Sequence, residues 1–392
     1  MNGVVTTAKL ADIAELNPTL AASLGAGDEV SFIPMSAVDA ESVTAVDRET
    51  RLYSEVSKGY TPFLEGDLLV AKITPCFENG KIAQVHLTRR FGFGSTEFHV
   101  IRPHAGRADA RYLVHFLRQD RIRRQGEARM TGSAGQRRVP ESFLAGVSVP
   151  LPPLPEQRRI AEILDKADAL RAKRRAALAQ LDTLTQSIFR AMFGRSEGND
   201  FPLGQHATRV TKGTTPTTVG YSFADSGIPL LRVQNLGGDK IDFSEDVLYI
   251  SEATHQALSR SQIRPGDVLT TIAGTIGRTV VVPASAPPAN CNQAIAIITP
   301  RESLNSLYLC HWLRSGSAIR QMTQGQVTAT ISNLSLGQIK SLKILVPSTA
   351  DQRRFADRAE AVHRAKAAHE SALVELNALF ASLQHRAFRG EL

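Results

Sequence analysis

The sequence predicts an α+β protein in which two similar strand-rich domains are joined by two long antiparallel helices that form a coiled coil. Three observations support this fold class: an internal repeat, short β-branched runs within each copy, and a heptad pattern of apolar residues at the end of each copy. The repeat is expected to relate the two halves by a pseudo-two-fold axis, so that each half contributes one domain and one helix.

Three segments of the first half return in the same order in the second half. The pairs are ARYLVHFLRQDRIRRQ from Ala110 with SLYLCHWLRSGSAIRQM from Ser306, GDLLVAKI from Gly66 with GDVLTTIA from Gly266, and PPLPEQRRIAEILDKAD from Pro152 with PSTADQRRFADRAEAVH from Pro347. The members of each pair lie roughly 200 residues apart, a period too long for a solenoid of short stacked repeats. The chain therefore contains two copies of one module, each with a globular part followed by a long helix.

The globular part of each copy contains short runs that are typical of β-strands. These runs are EGDLLVAKI, GKIAQVHL and EFHVIRP in the first copy, and GDVLTTIAG, GRTVVVP and AIAIITP in the second. They are rich in β-branched residues and are bounded by glycine, proline or asparagine. One amphipathic helix is predicted after them, over residues 111–125 and 307–322, before a loop and a last strand in AGVSVPLP or KSLKILVP.

A long helix with a heptad seam is predicted at the end of each copy. The seam consists of Ile160, Ile163, Ala167, Leu170, Ala177, Leu181, Leu184 and Ile188 in the first helix and of Phe355, Val362, Leu376, Leu379 and Leu383 in the second, with interruptions at Arg174 and His369. The predicted domains are residues 1–152 and 195–347, with spacer helices over 153–194 and 348–392. If the second globular part is compact, its ends lie close together, so the second helix runs back along the first. The alternative is two unrelated surface helices that each pack on their own domain.

The composition is ordinary for a globular protein, but its charge is basic. The formal net charge is +8, which favours polyanionic partners such as nucleic acid. An arginine cluster between Arg118 and Arg138 fits this, although a solvated helix face would show the same pattern. No apolar run is long enough for a membrane span, and the beginning of the chain lacks a secretory pattern. The three cysteines have neither zinc-site spacing nor an even count, so we expect a reducing cytoplasm.

Motifs of catalysis are missing from the sequence. It contains no Asn-Pro-Pro or Asp-Pro-Pro motif of amino-group DNA methyltransferases, no Walker-type phosphate loop, no complete GxGxxG fingerprint and no HExxH zinc motif. We therefore expect a chain without catalytic residues and without a metal of its own.

Two basic modules joined by long helices suit the symmetry of duplex DNA. A helix of about 35 residues spans about 50 Å, and half-sites on one face of B-DNA lie about 34–36 Å apart. Because the two modules differ in sequence, the predicted target is bipartite and asymmetric, with unread bases between its halves.

Several segments resemble those of the specificity (S) subunits of type I restriction–modification systems, and the resemblance covers essentially the whole chain. These segments are PLPPLPEQRRIAEILDKAD at the first helix, GDLLVAKITPCFENGK and GFGSTEFHVIRP in the first module, KGTTPTT, GTIGRT and NQAIAII in the second, and HRAFRGEL at the end. The second helix junction departs from this pattern, because PSTADQRRF lacks the PPL and the glutamate of the first.

The resemblance implies a non-catalytic DNA sequence-specificity subunit with two target-recognition domains, each of which reads one half of the site. It implies that the paired helices set the half-site spacing and dock two adenine-specific DNA methyltransferase subunits. It also implies no cofactor in this chain, S-adenosylmethionine in the methyltransferase subunits, and ATP with Mg in the full complex with restriction subunits. The alternative from another class is a two-headed protein-binding adaptor without DNA specificity.

Candidate DNA contacts are polar residues in the loops between the predicted strands, because arginine, lysine, asparagine and glutamine read bases while serine and threonine bind bases or phosphates. They are Lys72, Thr74, Asn79, Lys81, Ser133, Gln136, Arg137 and Arg138 in the first module, and Lys212, Thr214, Thr215, Arg232, Gln234, Asn235, Arg278 and Thr328 in the second. The alternative is that the threonines only form turns and that the basic side chains are solvated.

Candidate partner contacts lie on or beside the first long helix. They are Arg158, Arg159, Leu164, Arg171, Arg174 and Leu178. The arginines are expected to contact acidic partner residues or spacer phosphates, and the two leucines to extend the apolar face toward a partner helix. Alternatively, the leucines only widen the seam between the two long helices.

Overall fold

The computed structural model describes residues 6–20, 23–133, 135–194, 200–323 and 333–392. The chain divides into two compact units, one formed by Met1–Leu178 with His369–Leu392 and the other by Ala179–Ala368. This division cuts both long helices, whereas the sequence-based boundaries kept each helix whole as a separate spacer. Within the described residues, no helix is long and apolar enough to cross a membrane.

The first unit begins with short strands and helices that alternate along the chain. They are β1 (Thr7–Lys9), α1 (Leu10–Ile13), β2 (Ala14–Leu16), β3 (Glu29–Ile33), β4 (Thr44–Val46), β5 (Glu49–Leu52), α2 (Tyr53–Val56), β6 (Thr61–Leu64), β7 (Leu68–Ala71), β8 (Ile82–His86), β9 (Phe91–Gly94), β10 (Phe98–Pro103), α3 (Ala110–Leu117), α4 (Asp120–Glu127), α5 (Glu141–Ala145) and β11 (Ser148–Pro150). The long helix α6 (Leu154–Phe193) follows, and its last residues belong to the second unit.

Two sheets form the scaffold of the first unit. One has the strand order β2-β10-β7-β8-β4 and the other the order β5-β3-β9-β6, in which β3 and β9 are parallel. Apolar side chains from both sheets, such as Phe63 and Val100, pack in one buried cluster. On the other face of the first sheet, Tyr112 and Phe116 of α3 pack with Leu164 of α6 in a second cluster. The long helix is therefore part of the core of this unit.

The second unit repeats this succession of elements. They are β12 (Asp200–Pro202), β13 (Ala207–Lys212), β14 (Ile228–Leu231), β15 (Leu236–Gly237), β16 (Lys240–Ile241), β17 (Leu248–Ile250), α7 (Glu252–Ala257), β18 (Val268–Thr271), β19 (Thr279–Val281), β20 (Asn290–Cys291), β21 (Ile295–Pro300), α8 (Ser306–Leu313), α9 (Gly316–Thr323), α10 (Leu336–Ser341), β22 (Lys343–Leu345) and the long helix α11 (Thr349–Ala387). The last part of α11 belongs to the first unit.

The strand order confirms the internal repeat. The order β2-β10-β7-β8 in the first unit corresponds to β13-β21-β18-β19 in the second, and the parallel pair β3 and β9 corresponds to β14 and β20. The predicted α+β class and the strands predicted within the repeated segments are thereby confirmed.

The prediction of one amphipathic helix in each copy is wrong in one respect, because two shorter helices are present in its place. α3 and α4 are separated at Arg118, and α8 and α9 at Arg314. The Arg118 side chain turns inward and donates to the backbone oxygens of Ala40 and Ser42, while Arg314 Nε donates to that of Thr279 at 2.9 Å. The apolar periodicity continues across the break. It therefore gives no sign that the arginine at the break is bound by the backbone of neighbouring segments.

A buried glutamine joins the beginning of each long helix to the globular part. The Gln157 carbonyl oxygen accepts from the Asp109 amide at 2.8 Å, and its side-chain amide donates to the backbone oxygens of Arg107 and Pro152 at 3.0 and 2.9 Å. Gln352 makes the equivalent three bonds in the second unit, to Asn305, Ser303 and Pro347 at 2.7, 3.1 and 2.9 Å. These bonds explain why the same residue occupies this position in both EQRR and DQRR.

In the first unit, the beginning of α6 packs antiparallel to the end of α11. Arg159 donates to the backbone oxygen of Leu392 at 2.9 Å, and Arg171 Nε donates to Asn377 Oδ1 at 2.8 Å. As the residue number rises along α6, its partner's number falls along the other segment, which confirms the antiparallel direction.

In the second unit, the end of α6 packs in the same way against the beginning of α11. Lys366 forms an ion pair with Asp182 at 2.5 Å, and the ring centroids of Phe189 and Phe355 lie 5.3 Å apart. Phe355 is fully buried, so this part of the helix pair also belongs to the core of its unit.

The heptad seam predicted for the long helices is only partly buried. Leu170, Leu184 and Leu379 were placed in the seam, yet they are 52%, 40% and 51% exposed. Ala161 and Leu164 lie outside the predicted seam and are buried at 1% and 0% exposure. At Leu170 the prediction was wrong because the first turns of α6 pack on the globular core of the first unit, where Ala161 and Leu164 are the buried positions.

Candidate functional site

In the first unit, the structure brings together the two predicted groups of DNA contacts. The Val139 amide donates to the Lys72 backbone oxygen at 2.8 Å, and the Thr74 amide donates to that of Arg137 at 2.9 Å. Thr131 and Arg138 exchange two backbone hydrogen bonds of 3.0 and 2.8 Å, which close a short hairpin. The loop after β7 and the segment before α5 therefore form one continuous polar surface, called here the first loop surface.

An ion pair fixes the hairpin of the first loop surface. The Arg138 guanidinium donates to both carboxylate oxygens of Glu97, at 2.9 and 2.7 Å. This hydrogen bond is the main reason that the pKa of Glu97 lies below its usual range. The paired geometry neutralises the carboxylate and leaves the surface without an isolated negative charge at this point.

The predicted residues of the first loop surface differ in how far they are engaged. Asn79, Ser133 and Gln136 are exposed, whereas Lys72, Thr74, Lys81 and Arg137 are half-buried. Thr74 donates to Glu78 at 2.7 Å, Lys81 to the backbone oxygen of Met35 at 3.2 Å, and Arg137 to that of Glu127 at 2.7 Å. Among the described residues the Lys72 side chain has no hydrogen-bond partner, so it and the three exposed side chains are those best placed to meet a ligand.

In the second unit, two segments converge on the turn between β20 and β21. The Thr214 amide donates to the Cys291 oxygen at 3.0 Å, and the Asn292 amide donates to the Leu231 oxygen at 2.9 Å. A Cβ on Gly213 would lie 2.1 Å from the backbone oxygens of Cys291 and Asn292, so the close approach requires glycine. The loops after β13 and β14 are thus joined around this turn, and we call this region the second loop surface.

The predicted side chains of the second loop surface are also partly engaged. Lys212 is exposed, and so is Arg278, which lies in the separate loop between β18 and β19 and donates to the Leu236 backbone oxygen at 3.5 Å. Arg232 and Gln234 both donate to the carboxylate of Asp246, at 2.7 and 3.1 Å. These bonds, the one from Gln234 first, lower the pKa of Asp246. The Thr215 hydroxyl donates to the side-chain oxygen of Gln293, and Thr214 is half-buried.

Two of the predicted contacts are corrected by burial, and one lies outside the described residues. Asn235 is 2% exposed; its side-chain amide donates to the Glu245 oxygen at 3.1 Å and its carbonyl accepts from the Arg232 amide at 2.9 Å. It supports the loop and offers no edge to a base. Leu164 is fully buried in the core of the first unit, so it does not dock a partner helix. Thr328 falls within 324–332, outside the described residues.

The remaining predicted partner contacts lie along α6 in the first unit. Arg158 and Arg159 are exposed, while Arg171, Arg174 and Leu178 are half-buried. Arg171 donates to Asp168 at 2.7 Å and lies 4.3 Å above the ring of Phe380, and Arg174 is 3.0 Å from His369 Nδ1. Arg171 and Arg174 therefore connect the two long helices within this unit.

Sequence reasoning missed two exposed side chains at the centres of these surfaces. Thr96 lies in the turn between β9 and β10, and Gln293 lies in the turn between β20 and β21. The corresponding segments, GFGSTEF and NQAIAII, had been singled out only for their family resemblance. When the sequences of β10 and β21, the strands that follow the two turns, are aligned, Thr96 and Gln293 occupy equivalent positions.

Two buried thiols and two buried imidazoles are held in their neutral forms. Burial raises the pKa of the Cys310 thiol to about 11 and that of Cys291 still further. Burial also lowers the pKa of His115 and of His311 to about 3. Neither the thiols nor the imidazoles are therefore poised for nucleophilic or general-base chemistry near neutral pH. Within the described residues, no group of three His, Cys, Asp or Glu side chains is arranged to hold a metal ion.

One family model matches most of the chain. Residues 4–180 and 241–378 match the family model described as type I restriction modification DNA specificity domain. The specificity subunit of the type I restriction enzyme EcoAI of Escherichia coli is 39% identical over 46% of this chain and 31% of that subunit. The corresponding EcoEI subunit of the same species is 40% identical over 40% of this chain and 26% of its own length. The chain thus matches less than a third of the length of these two curated relatives.

A solved structure supports the fold over the full length of the chain. It comes from a study of complex assembly and conformational transition of the type I R-M system, and the match covers 99% of this chain and 98% of that chain. The TM-score is 0.63 at 20% sequence identity, so the likeness concerns the fold alone.

Proposed function

Because the chain belongs to the family of type I restriction modification DNA specificity domains, we propose that it is the DNA sequence-specificity subunit of a type I restriction–modification complex. In this proposal each compact unit reads one half of a bipartite, asymmetric DNA site. The paired long helices set the half-site spacing and dock two adenine-specific methyltransferase subunits.

The observation that carries this proposal is one framework with two different sets of exposed polar side chains. Four strands of the main sheet follow the same order in both units, and the glutamine joint is also the same. On that framework the first unit presents Asn79, Ser133 and Gln136, whereas the second presents Gln234 and Arg278. A shared scaffold with different loops suits two related tasks with different targets, as two unlike half-sites require.

The chain is proposed to act without catalysis of its own and without a cofactor. The buried thiols and imidazoles, which stay neutral at pH 7, support this. Methylation of adenine is assigned to the methyltransferase subunits with S-adenosylmethionine. DNA cleavage is assigned to restriction subunits with ATP and Mg in the full complex. The proposed compartment is the cytoplasm.

Exposed apolar side chains on the long helices support a role in assembly. Leu170, Val374 and Leu379 in the first unit are 52%, 68% and 51% exposed, and Leu184 in the second unit is 40% exposed. A partner helix could cover these side chains in each unit. In the first unit we assign Leu170, Val374 and Leu379, with the exposed Arg158 and Arg159, to contact with a methyltransferase subunit.

The salt dependence of DNA binding tests this proposal against a protein-binding adaptor. The assembled complex with its methyltransferase subunits is titrated against sheared genomic duplex at rising salt. Six or more phosphate contacts would weaken binding by about 10³-fold between 50 and 200 mM salt, because each contact releases counterions. Retention of DNA with this steep dependence is the expected result. A complex that assembles but retains no DNA, or whose weak binding is insensitive to salt, would support the adaptor.

A further inference from the structure

The turn between β9 and β10 in the first unit is closely defined by hydrogen bonds. The Phe98 amide donates to the Ser95 backbone oxygen at 3.2 Å, and the Glu97 amide donates to the Ser95 hydroxyl at 3.1 Å. The Lys72 backbone amide donates to the Glu97 backbone oxygen at 2.9 Å and connects the turn to the end of β7. Thr96 is the exposed residue of this turn. Its side chain is thus presented on a rigid support.

The turn between β20 and β21 in the second unit is built in the same way. The Ile295 amide donates to the Asn292 backbone oxygen at 3.2 Å, and the Ala294 amide donates to the Asn292 side-chain oxygen at 3.2 Å. The Ile272 amide donates to the Ala294 oxygen at 2.8 Å. Gln293 is the exposed residue. Three hydrogen bonds therefore recur at equivalent positions, although the residues that make them differ.

A lysine accompanies each turn. Lys72 follows β7 and lies close enough to Glu97 to contribute to its lowered pKa. Lys212 ends β13 and pairs in register with Ala296, shortly after the turn of the second unit. Among the residues that the structure describes, neither lysine side chain has a hydrogen-bond partner. The two lysines are not equivalent, because β7 corresponds to β18 rather than to β13 and Ile272 occupies the position of Lys72, but each supplies a cation from a segment that pairs next to its turn.

We infer that the two equivalent turns, each with a lysine supplied by a neighbouring segment, bind the DNA phosphate backbone and fix the register of each unit independently of base sequence. This inference rests on the proposed function. A feature that is built alike in two units reading unlike half-sites does not encode the difference between them. It suits what the half-sites have in common, and that is the phosphodiester chain.

The bonding of Gln293 favours a phosphate over a base. Glutamine reads adenine with both its carbonyl and its amide group. In this structure the Thr215 hydroxyl already donates to the Gln293 carbonyl, which occupies one of its two lone pairs and leaves both amide hydrogens as donors. A donor alone suits a phosphate oxygen, as does the Thr96 hydroxyl in the first unit. Glu97 does not oppose this role, because Arg138 neutralises it.

Four variants of the complete complex distinguish contacts made by neutral donors from contacts made by cations, because only the latter change the salt dependence of DNA binding. Binding is measured on an unmethylated duplex that contains the sequence motif methylated by the complex, and on a duplex of equal length in which this motif is scrambled. Thr96→Ala and Gln293→Ala remove neutral donors, so we expect binding about tenfold weaker on both duplexes with an unchanged salt slope. Lys72→Gln and Lys212→Gln remove a cation, so the slope should fall by about 1 on both duplexes.

Matched controls come from exposed residues elsewhere in the first unit. Thr50→Ala on β5 and Lys58→Gln should leave affinity and slope on both duplexes within about twofold of the parent complex. Weakening confined to the motif duplex would overturn the inference in favour of base reading. A reduced content of methyltransferase subunits, with unchanged DNA binding by the complexes that remain, would overturn it in favour of a protein contact. Absence of salt-dependent binding by the parent complex would instead refute the proposed function itself.

Discussion

Replacement of Gln157 by leucine is expected to destabilise the first unit by about 3–5 kcal/mol. Leucine has a similar volume, but it leaves the Asp109 amide and the backbone oxygens of Arg107 and Pro152 without their partner. Each unpaired buried polar group costs about 1–3 kcal/mol. Gln352→Leu should have the same effect on the second unit, because it removes the equivalent three bonds.

Native-state hydrogen exchange is the suitable measurement, because a chain with two units need not unfold in one step. The amides of α3 should lose protection in Gln157→Leu and those of α8 in Gln352→Leu, each with little change in the other unit. Lys173→Ala, at an exposed position of the same helix, is the control and should change the free energy of unfolding by less than about 0.5 kcal/mol. A Gln157→Leu protein as stable as this control would show that the joint does not hold the helix in place.

Both units are expected to lose stability between pH 7 and pH 5 because each buries a neutral histidine. His115 and His311 are 1% and 2% exposed. Burial is the main reason that the pKa of each is lowered to about 3, with the nearby guanidinium of Arg118 or Arg314 as the next cause. For His115 these effects outweigh the carboxylate of Asp165, which accepts a hydrogen bond from Nε2 at 2.7 Å.

The sign of the effect follows from proton uptake in the two states. The unfolded chain protonates each histidine below about pH 6.5, whereas the folded chain does so only near pH 3. The unfolded state therefore binds more protons in this window, and the free energy of unfolding falls as the pH falls. The loss approaches about 1.4 kcal/mol per pH unit for each histidine, or about 2 kcal/mol between pH 7 and pH 5.

Glutamine variants provide the test, since glutamine retains a hydrogen-bond donor but does not titrate. His115→Gln should flatten the pH dependence of unfolding in the first unit, and His311→Gln should do so in the second. His385→Gln, at an exposed position, should leave the dependence unchanged. Parallel pH profiles for His115→Gln and the parent protein would contradict the assignment.

The repeat and the strands could be predicted from the sequence because both depend on local patterns. GDLLVAKI and GDVLTTIA became β7 and β18 at matching places in their sheets. The burial pattern of the long helices could not be predicted in the same way. Leu170 fits a heptad seam, yet it is exposed because the globular core, rather than the second helix alone, selects the buried stripe of α6.

The candidate site shows the same division between local and long-range information. Loop composition was enough to select exposed residues such as Gln136 and Lys212. It could not show that Asn235 is enclosed by the backbone of a neighbouring loop, nor that Gln157 is a structural joint. Both depend on contacts between segments that are brought together only by the fold. Whether the selected residues contact DNA stays a prediction.

If this chain chooses which adenines are methylated, a map of the methylated bases in the genome must depend on it. DNA is sequenced with single-molecule detection of methyladenine from cells that express the chain with its methyltransferase subunits, and from cells that lack only this chain. We expect one bipartite, asymmetric adenine motif that disappears when the chain is removed. Methylation that persists without the chain, or that follows no bipartite motif in its presence, would show that the chain does not choose the target.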